Sequence, residues 1–168
     1  MLDGVLVVDK PAGPTSHDIV DRVRRALGTR KVGHTGTLDP FATGVLPVCV
    51  GRATRLARFL SGGEKEYLAT LCLGVETTTL DPEGTVTNRC AVGRIDAAEI
   101  ERVLARFRGS GLQTPPAFSA LKHKGKPLYH YARRGITIVK EPREVNISVL
   151  ERTDGDHDLI GDECLLRL

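Results

Sequence analysis

The segment over residues 33–44, GHTGTLDPFATG, places a carboxylate where it could do chemistry. Asp39 lies five residues after His34 and directly before Pro40. A carboxylate on a tight loop between apolar strands suits a nucleophile or a general base. Glycine allows positive φ and close backbone approach, and the segment has three of them: Gly33, Gly36 and Gly44. The alternative is a turn in which Asp39 only caps backbone N–H groups. No G-K-[ST] follows, so a P-loop is excluded.

Tyr67 is one of few aromatic residues, since Phe, Trp and Tyr make up 4% of the chain. It lies in KEYLATL, after charged residues and before an apolar run. A tyrosine in this position usually packs in the core with its hydroxyl at the rim. The functional alternative is a stacking platform for a base or a sugar.

A basic stretch extends from Gln113 to Gly135 without an acidic residue. It interleaves cations with rings: Lys122, Lys124, Lys126, Arg133, Arg134, His123, His130, Tyr129 and Tyr131. Contact with a nucleic-acid backbone requires such a pattern, and a solvated surface hairpin is the alternative. A second basic cluster is interpreted as the solvated face of a helix: Arg22, Arg24, Arg25, Arg30 and Lys31.

Composition indicates an ordinary globular chain of about one domain. The 168 residues are 40% hydrophobic and 27% charged, with a net charge of +3 that is compatible with a polyanionic partner. No apolar run is long enough to span a membrane. The N-terminus, MLDGVLVVDKP, lacks the basic region of a signal peptide, so a cytoplasmic location is expected.

The four cysteines predict neither a disulfide nor a metal site. They are far apart in the chain and show no C-x-x-C spacing. Each lies in or beside an apolar run, so all are expected to be small core residues: Cys49, Cys72, Cys90 and Cys164.

The elements that must position these residues alternate without a regular βαβ period, which favours an α+β fold. Buried strands are predicted for GVLVVDK and VLPVCVG, and one long strand for KEYLATLCLGVET. TSHDIVDRVRRAL predicts a helix capped by Thr15 or Ser16 and ended by Gly28. Further helices are predicted for RATRLARFL, IDAAEIERVLARF and LYHYARR, two strands for residues 136–153, and a last strand for ECLLRL.

Taken in order, four segments resemble the TruB-type tRNA pseudouridine synthases. These segments are GVLVVDKPAGPTSHDIV, RKVGHTGTLDPFATGVLPVCVGRATRL, KEYLATLCLGVETTTLDPEG and QTPPAFSALKHKGKPLYHYARRG. The family's reaction detaches a uracil from C1′, turns it and rejoins it through C5. The resemblance implies this reaction at position 55 in the T-loop of tRNA, and it sets aside the capping alternative for Asp39.

The resemblance also implies roles for particular residues. Asp39 matches the catalytic aspartate, acting either by attack on carbon or by ribose deprotonation. His34 matches the histidine that helps occupy the gap left by the extruded base, and Tyr67 the tyrosine that stacks on the target uracil. Support of the loop is expected from Lys10, Pro11, Gly33 and Gly36, and contact with the RNA backbone from Lys122, Lys124 and Lys126.

The implied fold is a mixed, largely antiparallel central sheet with flanking helices. The expected partner is the tRNA T stem-loop, with no metal, cofactor or membrane and a monomer at full length. In the family, a strand like CLLRL leads into a C-S-x-G-T-Y-I-R-type motif whose arginine pairs with the aspartate, and the present sequence reaches Leu168 before it. Residues 1–168 are therefore expected to be the N-terminal and central part of a catalytic domain, without the family's C-terminal RNA-binding domain. A catalytically inactive fragment that binds a tRNA stem-loop is the alternative.

Overall fold

A computed structural model describes residues 2–168 of the polypeptide. The chain divides into two units, Met1–Lys65 and Glu66–Leu168. Both units combine helices with strands, and all strand pairs in the described residues are antiparallel. The α+β prediction is therefore confirmed. The strands form five separate sheets of two or three strands each. None of the helices over residues 2–168 combines the length and apolar character that crossing a bilayer requires.

The first unit is a three-stranded sheet covered on one face by a helix. Strands β1 (Gly4–Lys10), β2 (Val32–His34) and β3 (Gly44–Val50) lie in the order β1-β3-β2, with β3 in the centre. Helix α1 (Ser16–Leu27) packs its apolar face against them. The buried core consists of Ile19, Val20, Val32, Leu46, Val48 and Val50. This small core fixes both ends of the loop that carries Asp39.

Helix α1 begins and ends where the sequence predicts. Thr15 is the N-cap: its hydroxyl accepts from Asp18 N–H, and the Asp18 carboxylate accepts from Thr15 N–H, forming a capping box. Gly28 ends the helix in the left-handed conformation at φ +59°. Because Thr15 supplies the cap, the hydroxyl of Ser16 is free for another contact.

Strand β1 is not the buried strand that its apolar run predicts. Val7 is 73% exposed and Val5 43% exposed. Strand residues alternate between faces, and α1 covers only the face that carries Val8, Leu46 and Val48. Exposed Val45 is paired with Asp9 and shares the outer face with Val5 and Val7. The helix predicted over RATRLARFL is also only partly correct, since a 3₁₀ turn (Gly51–Leu56) precedes the short α2 (Ala57–Leu60).

The second unit contains the remaining strands and helices. Its elements are β4 (Leu68–Cys72), β5 (Val75–Thr77), β6 (Val86–Arg89), α3 (Ala97–Ala105), β7 (Gly109–Gln113), β8 (Lys122–His123), β9 (Lys126–Pro127), α4 (Leu128–Ala132), β10 (Arg143–Ile147), β11 (Glu151–Arg152) and β12 (Glu163–Arg167). A three-stranded sheet has the order β11-β12-β4, and β5–β6, β7–β10 and β8–β9 are two-stranded pairs.

Several predictions for the second unit are wrong in detail. KEYLATLCLGVET is two strands in different sheets, because Gly74 turns the chain at φ +73°. A Cβ at Gly74 would lie 2.5 Å from the carbonyl oxygen of Cys90, so this turn requires glycine. Residues 136–140 form no strand. Cys49 and Cys164 are buried as predicted, but Cys72 and Cys90 are exposed, Cys72 because no residue of β4 is covered.

Candidate active site

The loop between β2 and β3 carries Asp39 and is held by its backbone. It covers residues 35–43, because the outer residues of the predicted loop belong to the two strands. Gly13 N–H donates to the carbonyl oxygen of Pro40 at 2.8 Å. Ala42 N–H donates to the carbonyl oxygen of Asp39 at 3.1 Å, closing a tight turn. The peptide on each side of the carboxylate is therefore fixed.

Ser16 holds the chain immediately before Asp39. Its hydroxyl donates to the carbonyl oxygen of Leu38 at 3.1 Å and accepts from Leu38 N–H at 2.9 Å. The side chain is buried, so water does not compete for these bonds. Sequence reasoning considered Ser16 only as a helix cap and missed this role. The available signal was the adjacent Thr15, since one of two neighbouring hydroxyls suffices for capping.

Lys10 holds the chain immediately after Asp39. It is fully buried at the end of β1, and its Nζ donates to the carbonyl oxygens of Ala42 at 2.7 Å, Pro11 at 3.1 Å and Pro40 at 3.2 Å. Burial of an ammonium group is costly unless its donors are satisfied, and three carbonyl oxygens satisfy all three donors. The lysine thus ties the end of β1 to the loop.

The Asp39 side chain itself is exposed. Over residues 2–168 its carboxylate receives no hydrogen bond and forms no ion pair. The alternative in which Asp39 only caps backbone N–H groups is therefore wrong. The arrangement combines a rigid backbone with an accessible carboxylate, which is what a nucleophile or base needs when its substrate arrives from solvent.

His34 ends β2, directly before the loop, where it pairs with Val48 of β3. The side chain is half-buried, and its Nδ1 is buried without a hydrogen-bond partner in the described part of the chain. Strand pairing fixes the backbone of His34, so the ring is held beside the start of the loop.

The glycines of the loop differ in what they require. Gly44 has φ +117° and lies at the first position of β3, opposite Lys10. Gly33 and Gly36 have no positive φ, and a Cβ built on either meets no atom within 4 Å. Positive φ is therefore required only at Gly44, and the space beside Gly33 and Gly36 is open, as close approach of a ligand would need. Pro11 contributes its carbonyl oxygen to the ammonium of Lys10.

Tyr67 lies in the second unit, directly before β4. Its N–H donates to the carbonyl oxygen of Leu168 at 2.7 Å, and its own carbonyl oxygen accepts from Leu168 N–H at 3.1 Å. The residue is 42% exposed. Core packing is therefore the wrong interpretation, and the ring is accessible at a backbone position fixed by two hydrogen bonds.

Part of the basic stretch forms a hairpin, β8–β9, with Lys124 at φ +47° and Gly125 at φ +81° in its turn. Lys122, Lys124 and Lys126 are all exposed, and none forms an ion pair with any residue in 2–168. The hairpin thus presents three free cations.

Rings behind the hairpin anchor it to α4. Tyr131 Oη donates to the carbonyl oxygen of His123 at 3.0 Å, and Lys140 Nζ lies 3.3 Å from His123 Nδ1. Burial lowers the pKa of His130, and the charges of Arg134 and Lys126 lower it further.

The first unit presents a carboxylate on a bonded loop, and the second presents a cationic hairpin. A carboxylate suits nucleophilic or acid–base chemistry, and exposed cations suit contact with a polyanion such as RNA. Residues 24–165 match the family described as "TruB family pseudouridylate synthase (N terminal domain)". The chain belongs to this family.

Curated relatives of the chain carry the name tRNA pseudouridine synthase B. The protein from Desulfotalea psychrophila is 58% identical over 160 residues, which cover 95% of this chain and 65% of the relative. The protein from Geobacillus thermodenitrificans is 48% identical over 167 residues, covering 99% of this chain and 55% of the relative. The chain thus spans between about half and two thirds of the length of these curated relatives.

Solved structures with the same fold are described as a Cbf5-Nop10-Gar1 complex and an H/ACA RNP bound to a substrate RNA containing 2′-deoxyuridine. The first matches with a TM-score of 0.63 at 30% identity, over 98% of this chain and 38% of that chain. The second matches with a TM-score of 0.62 at 27% identity, over 98% and 36%. The similarity supports the expected pseudouridine synthase fold.

Proposed function

We propose that this chain is the N-terminal and central part of the catalytic domain of an enzyme that converts a uridine of tRNA to pseudouridine, at position 55 in the T-loop. Its family and the names of its curated relatives support the reaction and the tRNA substrate. The observation that carries the proposal is the Asp39 loop, where the backbone is bonded on both sides and the carboxylate is left free.

The isomerisation breaks the N1–C1′ bond and forms a C5–C1′ bond, so substrate and product have the same composition. The hydrogen on C5 leaves as a proton, and N1 gains one. The carboxylate of Asp39 serves the bond-breaking half of this sequence, by attack on carbon or by removal of a ribose proton. Either role requires a precisely positioned carboxylate, and the anchors at Lys10 and Ser16 fix the backbone that carries it.

The remaining site residues have supporting parts in the proposal. Tyr67 stacks on the target uracil, and His34 helps fill the gap left by the flipped base. Flipping a base costs a few kcal/mol, and stacking on an aromatic ring returns about 1–3 kcal/mol per base. The exposed lysines at positions 122, 124 and 126 neutralise phosphates of the RNA stem.

The test replaces Asp39 by asparagine, which keeps the size and polarity of the side chain and removes its charge. The protein is assayed as a chimera in which the segment beyond the matched region of the Desulfotalea psychrophila relative follows Leu168. Turnover is measured as tritium release from [5-³H]uridine-labelled tRNA, and binding by filter retention. We expect D39N to abolish turnover while RNA affinity is largely kept.

The matched control is Asp9→Asn, which removes an exposed carboxylate of the same unit that forms no ion pair in the described residues. Its turnover should equal that of the unsubstituted chimera. D39N turnover within tenfold of the unsubstituted chimera contradicts the assignment of Asp39.

A second candidate function is RNA stem-loop binding without catalysis. It is favoured by one observation, that no cation lies against the Asp39 carboxylate in residues 2–168; Arg52 is bound instead to Asp3 at 2.7 Å. The 168-residue chain and the chimera are compared in the same assay. Binding by both without tritium release from either supports this candidate.

A further inference from the structure

A second cationic surface lies on the first unit, whereas the hairpin of the basic stretch belongs to the second. Its four side chains, which we call the α1-end cluster, are Arg22, Arg25, Arg30 and Lys31. All four are exposed, and none forms an ion pair with any residue described in the structure. The fifth cation of this stretch, Arg24, differs: it bonds Asp21 at 2.8 Å and the carbonyl oxygen of Val32 at 3.0 Å.

Helix stability explains only part of this cluster. A cation in the last turn of a helix is favoured by the helix dipole, which accounts for Arg25. Arg30 and Lys31 follow the helix end at Gly28, so this explanation does not reach them. Arg22 lies one turn after Asp18, whose carboxylate it favours. Arg30 and Lys31 form no ion pair in the described residues, so ion pairing within the fold does not explain them.

The backbone beneath Arg30 and Lys31 is fixed. Thr29 N–H donates to Arg24 O at 3.2 Å, and Val32 N–H donates to Arg30 O at 3.0 Å. The carbonyl oxygen of Lys31 accepts from Gly51 N–H at 2.8 Å. The side chains therefore project from a rigid base, which lowers the entropy lost when they bind a ligand.

The cluster and the loop that carries Asp39 lie at opposite ends of α1 and β2, separated by the length of one short strand. β2 runs from Val32 to His34, so Lys31 precedes His34 by three extended residues, about 10 Å. An RNA whose nucleotide is held at Asp39 thus has backbone phosphates within the span of a few nucleotides from this cluster. Long cationic side chains on a rigid base suit phosphate contacts that position RNA without reading its sequence.

We propose that the α1-end cluster is a second RNA-backbone contact surface, which engages phosphates within a few nucleotides of the one held at Asp39. This inference rests on the proposed function, because it takes RNA as the polyanion. It assigns the first unit a share of RNA affinity that is independent of the lysine hairpin.

The experiment uses the 168-residue chain and an RNA hairpin with the T-arm sequence, with affinity measured by fluorescence anisotropy across a salt series. The test variant carries Arg25→Gln, Arg30→Gln and Lys31→Gln. The control variant also loses three positive charges, but from exposed arginines of the second unit that form no ion pair in the described residues. Its substitutions are Arg89→Gln, Arg102→Gln and Arg106→Gln. Circular dichroism and the urea midpoint verify that both variants fold.

Each lost phosphate contact should reduce the slope of log K against log salt by about 0.7–0.9. We therefore expect the test variant to lose about 2–3 from the slope and about ten- to a hundredfold in affinity near 0.1 M salt. The control should lose much less of both. An unchanged slope in the test variant, or an equal loss in the control, overturns the proposal. If the unsubstituted chain does not bind the RNA hairpin, both the cluster proposal and the RNA-binding function are overturned. If the slopes change as expected but the chimera shows no turnover, only the catalytic proposal is contradicted.

Discussion

Replacing Lys10 by methionine tests whether the buried ammonium group sets the position of the Asp39 loop. Methionine keeps much of the length and apolar character of the stem and removes the three donors. Three carbonyl oxygens lose this partner, but they are affected differently. Pro40 O keeps its bond from Gly13 N–H, and Pro11 is exposed, so water can replace the ammonium there. Ala42 O loses its 2.7 Å bond, and the described residues supply no other donor.

The expected cost is therefore that of one orphaned acceptor, about 1–3 kcal/mol. This free energy destabilises the loop in its folded position relative to the open loop. The population of the open loop should rise by about five- to a hundredfold, at 1.4 kcal/mol for each factor of ten. Hydrogen exchange measures this directly, since the amide of Leu38 is bonded to Ser16 Oγ and the amide of Ala42 closes the turn at Asp39.

The control is Lys65→Met, which removes an exposed lysine from the same unit. Its exchange rates in the loop should match those of the unsubstituted chain. In the chimera, Lys10→Met should lower turnover while RNA affinity stays within a few-fold, because Lys10 is fully buried. The reasoning is refuted if Leu38 and Ala42 exchange at unchanged rates and turnover is kept.

Two further predictions concern the second unit. Replacing Lys122, Lys124 and Lys126 by glutamine should reduce the slope of log K against log salt by about 0.7–0.9 for each lost phosphate contact, and an unchanged slope would identify the hairpin as a solvated surface. Asp154→Asn should cost about 3 kcal/mol in urea denaturation, because it leaves nearly buried Arg152 without the carboxylate that it bonds at 2.9 and 3.0 Å. The Arg152 hydrogen bond lowers the pKa of Asp154 below its usual 3.8, so this stability is present above about pH 4 and is lost as pH falls further. A D154N variant with the same urea midpoint and the same acid-unfolding profile as the unsubstituted chain contradicts the second prediction.

The sequence predicted elements well where local signals decide them. The capping residue Thr15 and the helix end at Gly28 both act through short-range backbone chemistry. Burial was predicted less well. β1 and β4 are apolar enough to be core strands, but whether a face is covered depends on distant parts of the chain. The exposed faces of both strands could not be deduced from their own residues.

For the candidate site, too, the features set by local sequence were predicted and those set by distant contacts were not. The loop and its carboxylate were visible as a motif, since glycine, proline and aspartate have strong local preferences. The ties that hold the loop join residues far apart in the chain: Ser16 and Leu38 are 22 residues apart, and Lys10 and Ala42 are 32 apart. Single-sequence patterns carry no information about such pairings. The double hydrogen bond of Ser16 was therefore missed.

The bonds that hold the Asp39 loop continue the antiparallel pairing of β1 and β3 beyond its last residue pair. β1 and β3 end at the pair Lys10 and Gly44, after which Lys10 bonds Ala42, Gly13 bonds Pro40 and Ser16 bonds Leu38. Residue numbers rise along one segment and fall along the other, as in an antiparallel strand pair. Side chains make some of these bonds, where a strand pair would use only backbone atoms. Asp39 lies between the last two of these bonds, so an inserted or deleted residue in this paired region would displace its carboxylate by about one residue length, about 3.3 Å. The three-residue spacing of Lys10, Gly13 and Ser16 thus sets the position of Asp39 along the loop.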